Sequence, residues 1–393
     1  MIKEISLDNW KSYSKSTLYV DPLTFVIGIN ASGKSNLLDA FYCLSKLAQG
    51  RPAAEVIDGI RGGKDWLIRE GHSRASIAVV VAKESGEASF RYEVAFSKVN
   101  DRIEISAESL KSMRNGRDLF WTNPVVPGSP TIDTRFYTAK RGHPRRLDLG
   151  RNTSILSQID SLVILKEIKE AASVVVQGLQ NIFILNPIPN NMRGYSALSA
   201  TLKEDASNIA GVLAGLEENR KKEVENTLSK YLKNLPEHDI NRVWTEIIGR
   251  FKSDAMLYCE ENWTLGRSTI VDSRGMSDGT LRFLAIVTAL MTMPSGSLLI
   301  IEEVDNGLHP SRAKELVTML TELSSGNKVD VLCTTHNPVL IDELGIDMLP
   351  FISYIKRNPE TGGSMIELLE EKSNIAKLMS QHSMGDLMVE DCL

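Results

Sequence analysis

The chain has 393 residues, 42% hydrophobic and 24% charged, an ordinary globular mix long enough for two domains or one large domain with an insertion. Its formal net charge of -5 gives the surface as a whole no reason to cling to nucleic acid or anionic lipid, so any such binding needs a local patch. The cysteines Cys43, Cys259, Cys333 and Cys392 lie far apart with no C-x-x-C pair, which argues against a zinc site or a disulfide framework and for a reducing compartment.

The N-terminus opens on an alternating strand with Ile2, Ile5 and Leu7 instead of a basic region and a long apolar stretch, so no signal peptide is expected. The most apolar runs elsewhere are interrupted within about a dozen residues, too soon for a membrane span. The expectation is a soluble, cytoplasmic protein with no membrane partner.

Leu23-Thr24-Phe25-Val26-Ile27 reads as a short buried strand, and Asn36 to Gln49 carries Leu37, Leu38, Phe41, Leu44 and Leu47 at helical spacing before Gly50 closes the helix. Between them Gly28-Ile29-Asn30-Ala31-Ser32-Gly33-Lys34-Ser35 fits G-x-x-x-x-G-K-[ST]. At such a strand-to-helix turn, glycines let backbone N–H groups curl around phosphate oxygens, and the helix N-terminus adds partial positive charge. Lys34 is expected to neutralise the outer phosphates and Ser35 to ligate magnesium, making the chain a nucleoside triphosphate binder.

A β-rich stretch follows. Ser76 to Ala82 and Phe90 to Phe96 flank a polar turn containing Gly86, a hairpin signal, and Ile103-Glu104-Ile105 continues the alternation as an antiparallel meander. From Ser157 to about Leu235 the period becomes helical, with Ile209, Val212, Leu213 and Leu216 on one face and Val224, Leu228, Tyr231 and Leu232 on another. The charge run from Glu217 to Glu223 reads as a solvated face or a helix junction. Lys140-Arg141-Gly142-His143-Pro144-Arg145-Arg146 is the one basic cluster suited to phosphates, with a solvated loop as its alternative.

Met276-Ser277-Asp278-Gly279-Thr280 precedes an apolar helix. A hydroxyl and a glycine at a helix start suit an anion-binding N-terminus and equally an ordinary cap. Ser297 to Ile301 is a buried strand ending in Glu302-Glu303, two carboxylates at the carboxyl edge of a parallel sheet. One can hold magnesium and the other can orient or deprotonate the water attacking a γ-phosphate. Val329 to Cys333 is another strand, ending in Thr334-Thr335-His336-Asn337-Pro338, where a histidine could reach the same phosphate.

The order of these motifs resembles the ATPase head shared by ABC transporters, SMC proteins, RecF-like repair proteins and OLD-like ATPases. Glu302 to Pro310 and Thr335-His336-Asn337-Pro338 look most like the bacterial RecF/OLD branch. The resemblance implies an α/β P-loop fold of ABC-ATPase type, with a mixed central sheet, an antiparallel β subdomain and a helical insertion leading into the signature helix. It divides the chain into 1–156, 157–265 and 266–393. It makes Gly28, Asn30, Ala31, Ser32, Gly33, Lys34, Ser35 and Asn36 the Walker A loop, Glu302 the Walker B carboxylate and Glu303 the catalytic base. Asp305 falls in the D-loop and His336 at the switch position, while Ser277, Asp278, Gly279 and Thr280 are the signature that caps ATP on the opposite subunit. Asn9 to Tyr13, with Lys11 and Ser12, resembles the segment near the adenine, and Gln158 is the candidate for the magnesium-sensing glutamine.

The implied cofactors are ATP and Mg2+, and the implied assembly is a head-to-tail homodimer or a larger one. Fewer than sixty residues follow His336 and form no convincing cluster of metal-binding acids, so any cleavage would come from a separate effector such as a nuclease or toxin. An anti-phage or toxin–antitoxin sensor is expected by analogy. A RecF-like DNA clamp and an ATP-bound scaffold without turnover are the alternatives, and a transporter ATPase fits less well.

Overall fold

In a computed structural model the described residues are 1–83, 86, 88–125, 128–138, 143–235, 240–264, 267–372, 375–379 and 381–389. A six-stranded sheet forms the centre, in the order Ile182–Leu185, Leu298–Ile301, Asp330–Thr335, Leu23–Ile27, Ile352–Arg357 and Ser364–Leu368. The first five strands are parallel, and the last runs antiparallel to its neighbour. The sheet is therefore mixed, as expected.

Leu298–Ile301 and Leu23–Ile27 are buried along their whole length because both faces of the sheet are covered. Successive side chains point to opposite faces. Leu298 and Ile300 belong to the same buried cluster as Phe41 and Leu44 of the helix Lys34–Ala48, while Leu299 and Ile301 belong to a second cluster with Phe283 and Ile286 of the helix Asp278–Thr292. The P-loop helix and the signature helix thus grip the central sheet from opposite sides.

The meander is an eight-stranded antiparallel sheet in the order Lys15–Tyr19, Ile2–Asp8, Arg74–Ala82, Ser89–Val99, Arg102–Ser112, Arg117–Thr122, Thr131–Phe136 and Arg145–Gly150. The expected hairpin is present, with Ile77 opposite Val94. Glu84, Ser85 and Glu87 of its turn lie outside the described residues, as do Cys392 and Lys140, Arg141 and Gly142 of the basic cluster. Arg146 pairs with Asp133 at 3.1 Å, so part of that cluster's charge is neutralised locally.

The insertion differs from the purely helical expectation. Helices Lys166–Gln180, Ile209–Ala214 and Glu218–Lys233 are there, but 157–265 also holds the central-sheet strand Ile182–Leu185 and the antiparallel pair Ile240–Ile248 and Asp254–Thr264. A register shift between Ile240 and Arg242 interrupts the strict alternation that would have marked the first of that pair. Both readings of the charge run hold: Glu217 to Glu223 begins a new helix, and Lys222 pairs with Glu218 on its exposed face at 3.0 Å. Among the described residues no helix is long and apolar enough to cross a membrane.

Candidate functional site

Three neighbouring parallel strands end at one edge of the central sheet. Leu23–Ile27 runs into the P-loop, Asp330–Thr335 into His336, and Leu298–Ile301 into Glu302 and Glu303, with the histidine strand in the middle. Residues almost 300 positions apart in the chain are brought within hydrogen-bond reach: the Ser35 hydroxyl donates to Glu302 Oε1 at 2.6 Å, across 267 positions. Glu302, one methylene longer than the common aspartate, spans that distance.

The loop is tightly enclosed. Gly28 has φ 154° and Gly33 has φ 125°. A Cβ on Gly28 would lie 2.4 Å from the Ile355 carbonyl oxygen, and one on Gly33 would lie 2.3 Å from Ser364 Oγ. Both positions need glycine for conformation and for space. Lys34 folds back onto the loop, its Nζ donating to the carbonyls of Gly28 at 2.5 Å and Ile29 at 3.0 Å. Burial lowers its pKa, and the nearby Glu303 and Glu302 oppose that shift. A buried cation facing carbonyl oxygens has much to gain from phosphate oxygens. Ser32 Oγ is buried and lacks a hydrogen-bond partner in the structure, as a group turned toward a ligand would.

Ser35 and Glu302 are hard oxygen donors of the type magnesium takes. On the same carboxylate lies Arg61, with Nη1 at 3.0 Å from Glu302 Oε1. Its Nε reaches Asp39 Oδ1 at 3.1 Å, and Asp39 also pairs with Lys11. Burial would raise the Glu302 pKa, but the Arg61 guanidinium and the Ser35 hydroxyl outweigh it and hold the carboxyl below its ordinary value. Glu302 thus favours its ionised form and already carries a counter-cation. Asp39 and Arg61 were not foreseen in the sequence.

Glu303 takes a left-handed backbone with φ 48°, unusual for a residue with a side chain. Its N–H donates to Thr334 Oγ1 at 2.9 Å, and the Val304 N–H donates to the Thr334 carbonyl at 3.0 Å, so the switch strand fixes the turn. Glu303 Oε1 lies 3.6 Å from His336 Nδ1, which has no hydrogen-bond partner among the described residues. Asp305 accepts from Thr335 Oγ1 at 2.6 Å, tying the D-loop to the same strand.

Residues 10–13 form the back wall of the P-loop. Trp10 Nε1 donates to the Asn36 carbonyl and the Tyr13 hydroxyl to the Gly33 carbonyl, both at 2.9 Å. Asn36 Nδ2 donates to Ser12 Oγ at 2.8 Å, and Ser364 Oγ bonds both Ser12 Oγ and the Ser32 carbonyl. Lys11 and Ser12 also line an open cleft beside the loop, together with Asn36, Arg61, Trp66 and Arg357.

Two further expected members make other contacts. Ser277 caps the helix Asp278–Thr292, its Oγ accepting from the Thr280 N–H at 3.1 Å. The tip's neighbours are Gly307 and Arg312, since a Cβ on Gly279 would lie 2.9 Å from the Gly307 carbonyl oxygen and 3.2 Å from Arg312 Nη1. Gln158 does not reach the Ser35–Glu302 pair. Its neighbour Ser157 packs 3.8 Å from the position of a Cβ on Gly50, beyond the far end of the P-loop helix, about 20 Å from Ser35 at 1.5 Å per residue. Gln158 Nε2 instead donates to the Gly150 carbonyl at 2.9 Å.

Comparison with known proteins agrees with this geometry. Residues 23–131 and 263–342 match the family described as "AAA domain, putative AbiEii toxin, Type IV TA system". The DNA replication and repair protein RecF of Macrococcus caseolyticus (strain JCSC5402) is 29% identical over 179 residues, covering 43% of this chain and 45% of that protein. RecF of Bacillus cytotoxicus is 28% identical over 171 residues, 41% and 43% of the two chains. These matches span less than half the length of the curated relatives.

Two solved structures share the fold. One is the SmcHead bound to the C-winged helix domain of ScpA, with TM-score 0.54, 15% identity, and 96% of this chain and 99% of that one covered. The other is the Smc head domain with an extended coiled coil bound to the C-terminal domain of ScpA, derived from Pyrococcus furiosus, with TM-score 0.52, 14% identity, and 97% and 99% covered. The P-loop with its facing carboxylates, the RecF likeness and the Smc-head fold together support an ABC-type ATPase head of the RecF/SMC branch.

Proposed function

We propose that the chain binds ATP with magnesium and hydrolyses it, two copies closing head to tail so that each signature tip seals the other's nucleotide. The observation that carries this reading is the meeting of Ser35 and Glu302 at 2.6 Å, with Glu303 and His336 beside them and the signature tip packed against Gly307 of the same chain. In this reading, 1–156 and 266–393 are the two halves of the ATPase core and 157–265 is the insertion between them.

In this reading the residues take the following roles. Lys34 exchanges the Gly28 and Ile29 carbonyls for the outer phosphate oxygens. Ser35 and Glu302 would hold magnesium, which would supply charge neutralisation of the phosphates. Glu303 accepts a proton from the water whose oxygen attacks the γ-phosphorus as the bond to the β-phosphate oxygen breaks. His336, 3.6 Å away, orients that carboxylate. Asp305, bonded to Thr335, links the D-loop to the histidine strand. Loss of the γ-phosphate weakens the bridge between copies and reopens the dimer, a population switch driven by differential affinity.

We further propose that the switch is a soluble cytoplasmic sensor of an anti-phage or toxin–antitoxin system with a separate effector, supported by the description of the matched family. The RecF likeness favours a second reading, a DNA repair clamp, whose test is DNA binding that weakens steeply with salt.

The deciding experiment combines phosphate release with size analysis of Glu303→Gln. Turnover should fall by about 10²-fold or more, the usual worth of a general base, and ATP should convert the variant to a stable dimer. A variant that stays monomeric with ATP, or one that turns over like the parent, would defeat this reading.

A further inference from the structure

Asp278 sets a carboxylate on the helix tip that, under the function proposed above, meets a triphosphate. Its side chain is 62% exposed and would repel that ligand. The repulsion is answered from the insertion. Arg193 Nη2 lies 2.5 Å from Asp278 Oδ1. Arg193 Nη1 faces three carbonyl oxygens of the segment before the tip, at 2.7 Å from Met276, 2.8 Å from Arg274 and 3.4 Å from Ser273. The next residue adds another tie, the Gly194 N–H donating to Ser273 Oγ at 3.2 Å.

The planar fork of arginine suits this double task, a charge pair on one nitrogen and converging carbonyls on the other. Residues 273–276 precede the helix, so their carbonyls have no helical ladder to enter and need donors from elsewhere. With those carbonyls drawn toward Arg193, the negative ends of the peptide dipoles turn away from the tip. Ser277 is exposed at that tip, its hydroxyl capping the Thr280 N–H at 3.1 Å. Arg193 follows the short helix Pro189–Met192, which is reached from Ile182–Leu185, the strand paired with Leu298–Ile301. The clamp thus joins the signature tip to the neighbour of the strand that bears Glu302.

We propose that Arg193 is a positioning residue for the signature tip: it neutralises Asp278 and holds the segment 273–276 so that a carboxylate-bearing tip can close on the triphosphate of a second copy. The proposal rests on closure in trans.

The test measures ATP-driven dimerisation by sedimentation in the Glu303→Gln background, with ATP itself as the probe. Arg193→Ala should raise the protein concentration needed for half-dimerisation by about tenfold, as expected for one like-charge contact at an interface. Binding of ATP to dilute monomer should be unchanged. Adding Asp278→Asn to Arg193→Ala should recover most of the loss, which a merely structural role would not do. Asp278→Asn alone keeps the carbonyl clamp and should dimerise at least as tightly as its parent, a result that does not depend on how Arg193→Ala folds. If Glu303→Gln fails to dimerise with ATP, closure in trans is wrong. If it dimerises, and either Arg193→Ala leaves the midpoint unchanged or Asp278→Asn brings no recovery and weakens the dimer by itself, the assignment to Arg193 is overturned.

Discussion

Arg61 and Glu302 form an ion pair on the carboxylate that faces the P-loop: Arg61 Nη1 is 3.0 Å from the same Glu302 oxygen that accepts the Ser35 hydroxyl at 2.6 Å. Under the proposed function, magnesium and the guanidinium would compete for one carboxylate. Removing Arg61 should therefore lower the magnesium concentration that half-saturates ATP binding. The pair is half-exposed on the arginine side, so its loss should cost the nucleotide-free protein only about 0.5 to 1 kcal/mol. Magnesium titration of ATP binding to Arg61→Ala checks the first point and urea unfolding the second. An unchanged magnesium requirement would mean that the guanidinium leaves the carboxylate at no cost.

Gly33 faces two separate obstacles to a side chain, its φ of 125° and Ser364 Oγ at 2.3 Å from the added Cβ. Gly33→Ala should abolish ATP binding and destabilise the protein by roughly 1 to 3 kcal/mol, the usual cost of a forced backbone. Pairing it with Ser364→Gly removes the steric obstacle and leaves the conformational one. The double variant should regain part of the stability and little of the affinity, as calorimetry on both variants would show.

What could be read in the chain depends on how locally the information is stored. The P-loop, its strand and its helix are contiguous, and Leu298–Ile301 is apolar along its whole length, so both were legible without a fold. Arg61 carries no local mark, because its partner Glu302 is 241 positions away. Ser364, which buttresses the loop through Ser12, stands 352 positions from that residue and lies on the last strand of the sheet. Asp39 left a faint signal, a carboxylate inside an otherwise apolar helical stretch, now explained by Lys11 and Arg61. Ile182–Leu185 is four residues long, too short to separate from the helical run before it by periodicity. Gln158 failed because sequence order places it near the insertion but does not say at which end of the P-loop helix.

Glu108 is buried in the meander, accepting from the Tyr92 hydroxyl at 2.6 Å and from the Ile155 N–H at 2.8 Å. Burial pushes its carboxyl up to about 7 from an ordinary 4.5, despite the opposing effect of those hydrogen bonds. Between these two values the folded chain holds a proton that the unfolded chain has released, so stability should fall as pH rises from about 4.5 to about 7. The full effect is on the order of 3 kcal/mol. Glu108→Gln retains an acceptor for Ile155 and cannot ionise. Urea unfolding across this range should show the parent losing stability toward neutral pH and the variant following a flatter course; parallel curves would remove Glu108 as the cause.

Tyr13 offers the most selective probe of the loop's back wall. Its hydroxyl is fully buried and donates to the Gly33 carbonyl at 2.9 Å, the residue whose backbone conformation opens the turn into the P-loop helix. Tyr13→Phe keeps the ring and removes one of two donors to that carbonyl, which still accepts the Leu37 N–H at 3.1 Å, so the loss should be about 0.5 to 1.5 kcal/mol. Because Gly33 belongs to the phosphate-cradling turn, the loss should appear both in stability and as weaker ATP binding, by up to about tenfold if one kcal/mol or so of it is felt in the bound geometry. Ser12→Ala removes a different tie, the acceptor of Asn36 on the helix side, and leaves the Gly33 carbonyl satisfied. It should therefore weaken ATP binding less than Tyr13→Phe does. Isothermal titration of both variants with ATP, beside their melting curves, compares the two supports. If Ser12→Ala proves the more damaging, the loop is held mainly from its helix end, and the hydrogen bond to Gly33 contributes only to the core.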